Sequence, residues 1–304
     1  MILSVPSYFA LNRNDFKVQI RKLKNNNKFK EYLMPLSNIS NLSSNKFILD
    51  LWKSYVQISP SAEKVMGLLQ KDGDQKNKLK IDHISIRSMG YKDTALPRVA
   101  RVLGNYGYQI TNTYQLGDAN IDAIHLEAIN DNDKYIKPSV FVSNFNIDNS
   151  EQWLQDHILY CLGSCANYDS SMLLSCGAPW EKNFMDYQKI ADYSEYAGWF
   201  YLHGFRANHF TVDVNSLDDF EDIYEVNKYL EDNQVTLSSD GGVVKGEQEG
   251  KLLQSCTIAD LVPVAFQDLD TSKPQDRVLY NVPGGFFEFA QRNSIQNKEC
   301  KGFI

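Results

Sequence analysis

The sequence predicts an α+β fold made of two βαβββ modules that form a half-open barrel around a metal site, and three observations lead there. The order strand, helix, three strands occurs twice at a spacing of more than a hundred residues, which is the period of a duplicated module and not of a solenoid repeat. Each module offers one helix for four strands, so its own helix can cover only one face of its sheet. The other face must line something else, and two such faces brought together make a cavity. Finally, a histidine stands at the same place on the first strand of each module, His83 and His209, and a carboxylate, Glu288, stands on the last strand of the second.

Taken in order, residues 1–46 read as an N-terminal extension, basic and Asn-rich and followed by the polar stretch Ser37 to Asn45. From Phe47 the apolar spacing becomes helical (Ile48, Leu51, Tyr55), and a second helix is expected over Ala62 to Leu69 after Pro60. The first module then runs as a strand over Lys80–Ser88, a helix over about Asp93–Asn105 closed by Gly107, and strands over Tyr108–Leu116, Ile121–Ala128 and Ser139–Phe145. Leader helices and first module together occupy 47–150, and a helical, aromatic-rich connector occupies 151–204. The second module, 205–304, is expected to hold a strand over Asn208–Val214 and a helix over Leu217–Asp232 started by Ser216. Its further strands are expected near Val243–Gly246, Leu252–Ile258 with a continuation at Val264, and Phe286–Ala290.

A net charge of -7 and a pI near 5.3 speak against a nucleic-acid surface, which needs a clustered excess of Lys and Arg. The basic run Lys17 to Lys30 reads as a solvated helix face. Five unpatterned cysteines fit a reducing compartment, and Cys161 with Cys165 lacks the partner pair of a zinc site. The N-terminal residues lack the basic and long apolar regions of a signal peptide, and no apolar run approaches the roughly 20 residues of a membrane span. A cytoplasmic protein without membrane or nucleic-acid partners is the expectation; the oligomeric state is not legible.

The chemistry concentrates in Asp82-His83-Ile84-Ser85-Ile86-Arg87. Strand side chains alternate, so His83, Ser85 and Arg87 share one face while Ile84 and Ile86 pack on the other. Two histidines and one carboxylate from three separate strands are what a facial triad for non-haem iron requires. Arg87 lies four residues along the same face from His83, roughly 13 Å on an extended strand. Its guanidinium suits bidentate binding of a distal carboxylate. A carboxylate at Glu288 among Phe286, Phe287 and Phe289 needs a metal or a partner, and Arg292 is the competing partner. His125, His157 and His203 read as structural, Arg206 and Arg292 as structural or rim charges, and Ser143 as a weaker candidate.

Six blocks carry a resemblance: Asp82 to Arg87, Val140 to Ser143, Ser194 to Trp199, Ala207 to Val212, Leu252 to Asp260, and Val282 to Ala290. In this order they are similar to the 2-oxoadipate dioxygenase/decarboxylase family, the hydroxyglutarate synthases, within the vicinal oxygen chelate superfamily. More distantly, the Leu-Leu-Gln block and the late Glu, Gln-Arg and Gly-Phe resemble 4-hydroxyphenylpyruvate dioxygenase. The resemblance implies Fe(II) held by His83, His209 and Glu288, substrate recognition by Arg87, and a reaction in which 2-oxoadipate and O2 give 2-hydroxyglutarate and CO2. Gln254, on a cavity-facing strand, is expected to bind substrate. A metal-dependent lyase, isomerase or other 2-oxo-acid oxygenase on the same scaffold is the alternative, followed by a non-catalytic small-ligand binder. Two departures stand out: the sequence ends at Gly302-Phe303-Ile304 without the pocket-closing helix of related dioxygenases, so closure is expected from elsewhere, and Cys256 replaces a usual small hydroxyl residue.

Overall fold

A computed structural model describes residues 46–70, 79–116, 120–128, 137–166, 172–246, 252–267 and 277–292. The extension up to residue 45, the basic run within it, Cys300 and the last residues lie outside the described chain. Two leader helices, α1 (Lys46–Tyr55) and α2 (Ser61–Leu69), precede the first module: β1 (Ile81–Gly90), α3 (Lys92–Gly104), β2 (Tyr108–Leu116), β3 (Ile121–Ala128) and β4 (Ser139–Asn146). The connector folds into α4 (Gln152–Gly163), α5 (Phe184–Tyr193) and α6 (Glu195–His203). The second module holds β5 (Ala207–Asp213), α7 (Ile223–Asp232), β6 (Leu252–Cys256), the pair β7 (Leu261–Gln267) and β8 (Arg277–Pro283), and β9 (Phe286–Arg292).

The two modules share one open, seven-stranded sheet in the order β2-β3-β4-β1-β5-β9-β6. They meet where the two first strands pair antiparallel, β1 with β5. The two sheets expected to face each other are instead joined edge to edge. One face of this sheet carries a buried apolar row across its five inner strands: Leu126, Val140, Ile84, Phe210 and Phe287 are at most 1% exposed. Each of these side chains contributes about 1.5–3 kcal/mol by leaving water. α1 covers the middle of the row because Phe47, Ile48, Leu51, Trp52 and Tyr55 fall on one helical face, and Trp52 and Tyr55 pack against Phe210. The opposite face carries the polar and chemical residues of β1, β5 and β9.

The second module departs from its expected element pattern in three places. Its helix starts at Ile223, not Leu217, because the Asp222 side chain accepts hydrogen bonds from the backbone amides of Tyr224 and Glu225. Ser216 instead donates to the Asp213 carbonyl and accepts from the Lys80 amide. The strand expected at Val243–Gly246 is reduced to an isolated bridge between Lys245 and Gln254, preceded by Gly241 and Gly242 at positive φ. The continuation at Val264 is a separate strand, β7, which turns away to pair with β8 and leaves the main sheet.

The approach to β9 is the tightest junction of the described fold. The Gly285 amide donates to the Ile58 carbonyl, the Gly284 amide to Asp260, and the Gly284 and Pro283 carbonyls accept from Trp199 and His203 of α6. A Cβ on Gly284 would stand 2.0 Å from the Ile58 carbonyl oxygen, a backbone atom that cannot swing aside. Gly284→Ala is therefore expected to lower the unfolding free energy by about 1–3 kcal/mol in urea denaturation. Gly67→Ala, in the exposed interior of α2 with nothing within 4 Å, should raise it by about 0.5–1 kcal/mol.

Candidate metal centre

Strand register places the candidate ligands. On the polar face His83 of β1 stands opposite Thr211 of β5, and Thr211 stands opposite Glu288 of β9, which in turn faces Cys256 of β6. The next row runs His125, Phe141, Ser85, His209, Phe286. His83, His209 and Glu288 thereby converge, each with a ligand atom within 4.8 Å of the others. His83 Nε2 lies 3.6 Å from Glu288 Oε1, and His209 Nε2 lies 3.9 Å from Oε2. Among the described residues this is the one group of three or more side chains able to hold a metal ion.

Each ring is oriented by the residue before it in sequence. His83 Nδ1–H donates to the Asp82 carboxylate at 2.8 Å, and His209 Nδ1–H donates to the Asn208 amide oxygen at 3.0 Å. With the proton on Nδ1, both Nε2 lone pairs face Glu288, the tautomer a metal ligand needs. Asp82 is itself gripped by Arg292, whose Nε and Nη2 donate to its two oxygens at 2.9 Å each. Burial disfavours the Asp82 carboxylate, but the His83 and Arg292 hydrogen bonds and charges hold it well below the usual range. Arg292, weighed as a partner for Glu288, is thus engaged with Asp82.

Burial pushes the Glu288 carboxyl up, against the lowering effect of His83, Thr211 and Gln254. Burial, with the charges of His83 and Arg87, pushes His209 well below its ordinary value, so its ring is neutral near pH 7. A neutral His209, the second imidazole of His83 and one carboxylate with an unfavourable desolvation cost are a donor set that fits a divalent cation. Thr211 donates to Glu288 Oε1 at 3.1 Å and lies 3.2 Å from His83 Nε2; Gln254 Nε2 donates to the same Oε1 at 2.9 Å. Cys256 is buried in the ligand row, and its thiol is pushed up to about 12 by that burial.

Arg87 shares the face of His83 at the far end of β1. Its guanidinium lies 4.8 Å from the Tyr196 ring and 4.9 Å from the Trp199 ring, both on α6. Tyr196 is anchored by its hydroxyl to the backbone of Ser88 and Ser143. Arg87, Glu195, Trp199, Asn208, Gly284 and Phe286 line a pocket whose walls include none of the three candidate ligands, though two of its residues touch His209: Asn208 through a hydrogen bond and Phe286 by stacking at 4.6 Å. The connector helix α6 therefore walls the Arg87 side of this pocket.

Of the histidines read as structural, His203 is 2% exposed and donates to the Pro283 carbonyl, His157 packs near Tyr201, and His125 contacts Thr111. Ser143 meets the Tyr196 hydroxyl, and the described cysteines form no metal cluster with other side chains. Sequence reasoning missed Asp82, Asn208 and Thr211. A signal was present, since an acceptor directly precedes the histidine in both modules.

The sequence profile described as 2-oxoadipate dioxygenase/decarboxylase matches residues 177–302. The rice (Oryza sativa subsp. japonica) chloroplastic/amyloplastic 2-oxoadipate dioxygenase/decarboxylase is 28% identical over 258 residues, covering 81% of this chain and 68% of that protein. A crystal structure from Shewanella frigidimarina, provisionally named a hydrolase, is 31% identical with a TM-score of 0.72, covering 86% of this chain and 98% of that one. The rice hydroxyglutarate synthase crystallised with 2-oxoadipate shares the fold at 24% identity and a TM-score of 0.70, covering 85% of this chain and 82% of its own.

Burial pushes His203 down to about 3, and the same cause depresses His209. Below pH 6.5 the unfolded chain takes up protons that these folded residues refuse, so these two groups lower the stability of the metal-free protein as pH falls. Urea denaturation should find His203→Gln losing ~1 kcal/mol less than wild type between pH 6.5 and 5.5.

Proposed function

Because the chain belongs to the 2-oxoadipate dioxygenase/decarboxylase family, we propose that it is a non-haem Fe(II) enzyme converting 2-oxoadipate and O2 to 2-hydroxyglutarate and CO2. The observation that carries this reading is the placement of His83, His209 and Glu288 on one sheet face with Arg87 at the far end of the same strand. In this reading His83, His209 and Glu288 would hold Fe(II), which would supply the redox chemistry between a 2-oxo acid and O2. The reaction balances without a second reductant. Decarboxylation of the 2-oxo acid furnishes two electrons; one oxygen atom enters the new carboxylate at the former keto carbon and the other becomes the hydroxyl.

The chain's own part is positioning and electrostatics. Arg87, held between the Tyr196 and Trp199 rings, presents its guanidinium fork to the carboxylate at the far end of the substrate. Fixing that end keeps the shortened chain from swinging away before its carbon nearest the reacting centre is hydroxylated. Phe286 and Trp199 give the pocket an apolar wall, which strengthens the charge pair by limiting water. Arg87 on the pocket wall supports a dicarboxylic 2-oxo acid over the aromatic substrate of a phenylpyruvate-type oxygenase.

Anaerobic titration is expected to give one Fe(II) per chain, abolished in His209→Ala. With the iron-loaded protein, an oxygen electrode should record uptake with 2-oxoadipate, and mass analysis should find 2-hydroxyglutarate. Arg87→Ala should keep its iron while kcat/KM falls about 30- to 1000-fold, the equivalent of ~2–4 kcal/mol. Uptake confined to monocarboxylic or aromatic 2-oxo acids would overturn the substrate, and no uptake with any 2-oxo acid would favour a lyase or a ligand-binding protein.

A further inference from the structure

Gln254 has the side chain and the strand placement of a substrate-binding amide, yet its amide nitrogen is committed elsewhere. It donates to Glu288 Oε1 at 2.9 Å, and the Thr211 hydroxyl donates to that same oxygen at 3.1 Å. A carboxylate oxygen has two in-plane lone pairs, so these two donors occupy Oε1. Among the described residues no hydrogen bond falls on Oε2, which is the oxygen facing His209 Nε2.

We propose that Gln254 and Thr211 are positioning residues that hold Glu288 for metal ligation through Oε2 alone, so that Gln254 acts on the metal ligand and not on substrate. The inference rests on the reading of His83, His209 and Glu288 as a metal site. Thr211 has the more constrained part. It is fully buried and sits in register between His83 and Glu288, with its one hydroxyl proton facing two acceptors, Glu288 Oε1 and His83 Nε2. Because Asp82 keeps the His83 proton on Nδ1, Nε2 is a lone pair, and the Thr211 proton cannot serve both. A cation on Nε2 removes that competition and leaves the hydroxyl wholly to Oε1. Metal binding and carboxylate orientation are thereby coupled through one proton. Monodentate ligation leaves more of the coordination sphere open to a bidentate 2-oxo acid than a carboxylate bound through both oxygens would.

The test compares Gln254→Leu, Thr211→Val and Thr211→Ser with wild type, using anaerobic titration with Fe(II) and with Co(II), whose visible spectrum reports ligand geometry. Urea curves of the metal-free variants verify that each is folded. The inference expects Gln254→Leu and Thr211→Val to bind metal about 10- to 100-fold more weakly with altered cobalt bands. Thr211→Ser, which keeps the hydroxyl, should stay near wild type. At saturating metal, KM for 2-oxoadipate in Gln254→Leu should remain within about twofold of wild type. Unchanged metal affinity with a raised KM would overturn the inference and make Gln254 a substrate residue. Equal loss in Thr211→Ser and Thr211→Val would also overturn it, by showing that the hydroxyl is not what matters. Failure of wild type to bind either metal would refute the metal reading itself, an outcome distinct from a wild type that binds and variants that bind equally well.

Discussion

The antiparallel pairing of β1 with β5 is the constraint on which the rest depends. It joins the two modules into one sheet and sets His83 opposite Thr211 and Ser85 opposite His209. A slip of one residue would pair Ile84 with His209 and His83 with Phe210, putting the two histidines on opposite faces of the sheet. That slip is opposed by the buried row running from Leu126 to Phe287, which α1 covers with Trp52 and Tyr55. The register of the site is thus held by the packing of the opposite face.

Around this pairing the electrostatics are arranged in a chain. Arg292 grips Asp82, Asp82 fixes His83, and His83 faces Glu288, whose other contacts are Thr211 and Gln254. The charges decrease in exposure toward the centre: Arg292 is 57% exposed, Asp82 and Glu288 12%. The guanidinium therefore retains solvation while it supports a buried carboxylate, which limits the desolvation cost of the network. The two histidines differ in the same respect, one backed by a carboxylate and the other by a neutral amide. A stronger acceptor makes a ring a stronger donor to a cation, so in a metal site His83 would be the stronger ligand of the two.

The connector and the Gly284-Gly285 junction do a different task. α6 places Tyr196 and Trp199 against Arg87, while the Trp199 indole and the His203 ring hold the carbonyls just before β9. One helix thereby ties the arginine pocket to the strand that carries Glu288. The backbone explains why two glycines stand there: a side chain on Gly284 would collide with the Ile58 carbonyl, and one on Gly285 would crowd the Asn208 carbonyl and the Tyr55 ring.

The sequence by itself determined the module order, the faces of β1, β5 and β9, and the three side chains proposed as metal ligands, because strand alternation and the recurrence of a histidine at the first strand are local patterns. It also carried Asp82 and Asn208, each one residue before its histidine, as a regularity whose meaning was not evident. Tertiary structure decided what depends on which strands become neighbours. Edge-to-edge joining of the modules, the loss of regular pairing around Gly241 and Gly242, and the departure of β7 and β8 from the sheet all follow from long-range pairing that alternation cannot rank. The same holds for Arg292, which lies 210 residues from Asp82 in sequence yet binds it, and for Gln254, whose amide meets Glu288 only because β6 pairs with β9. A hydrogen bond has no signature in the chain until register brings its two ends together.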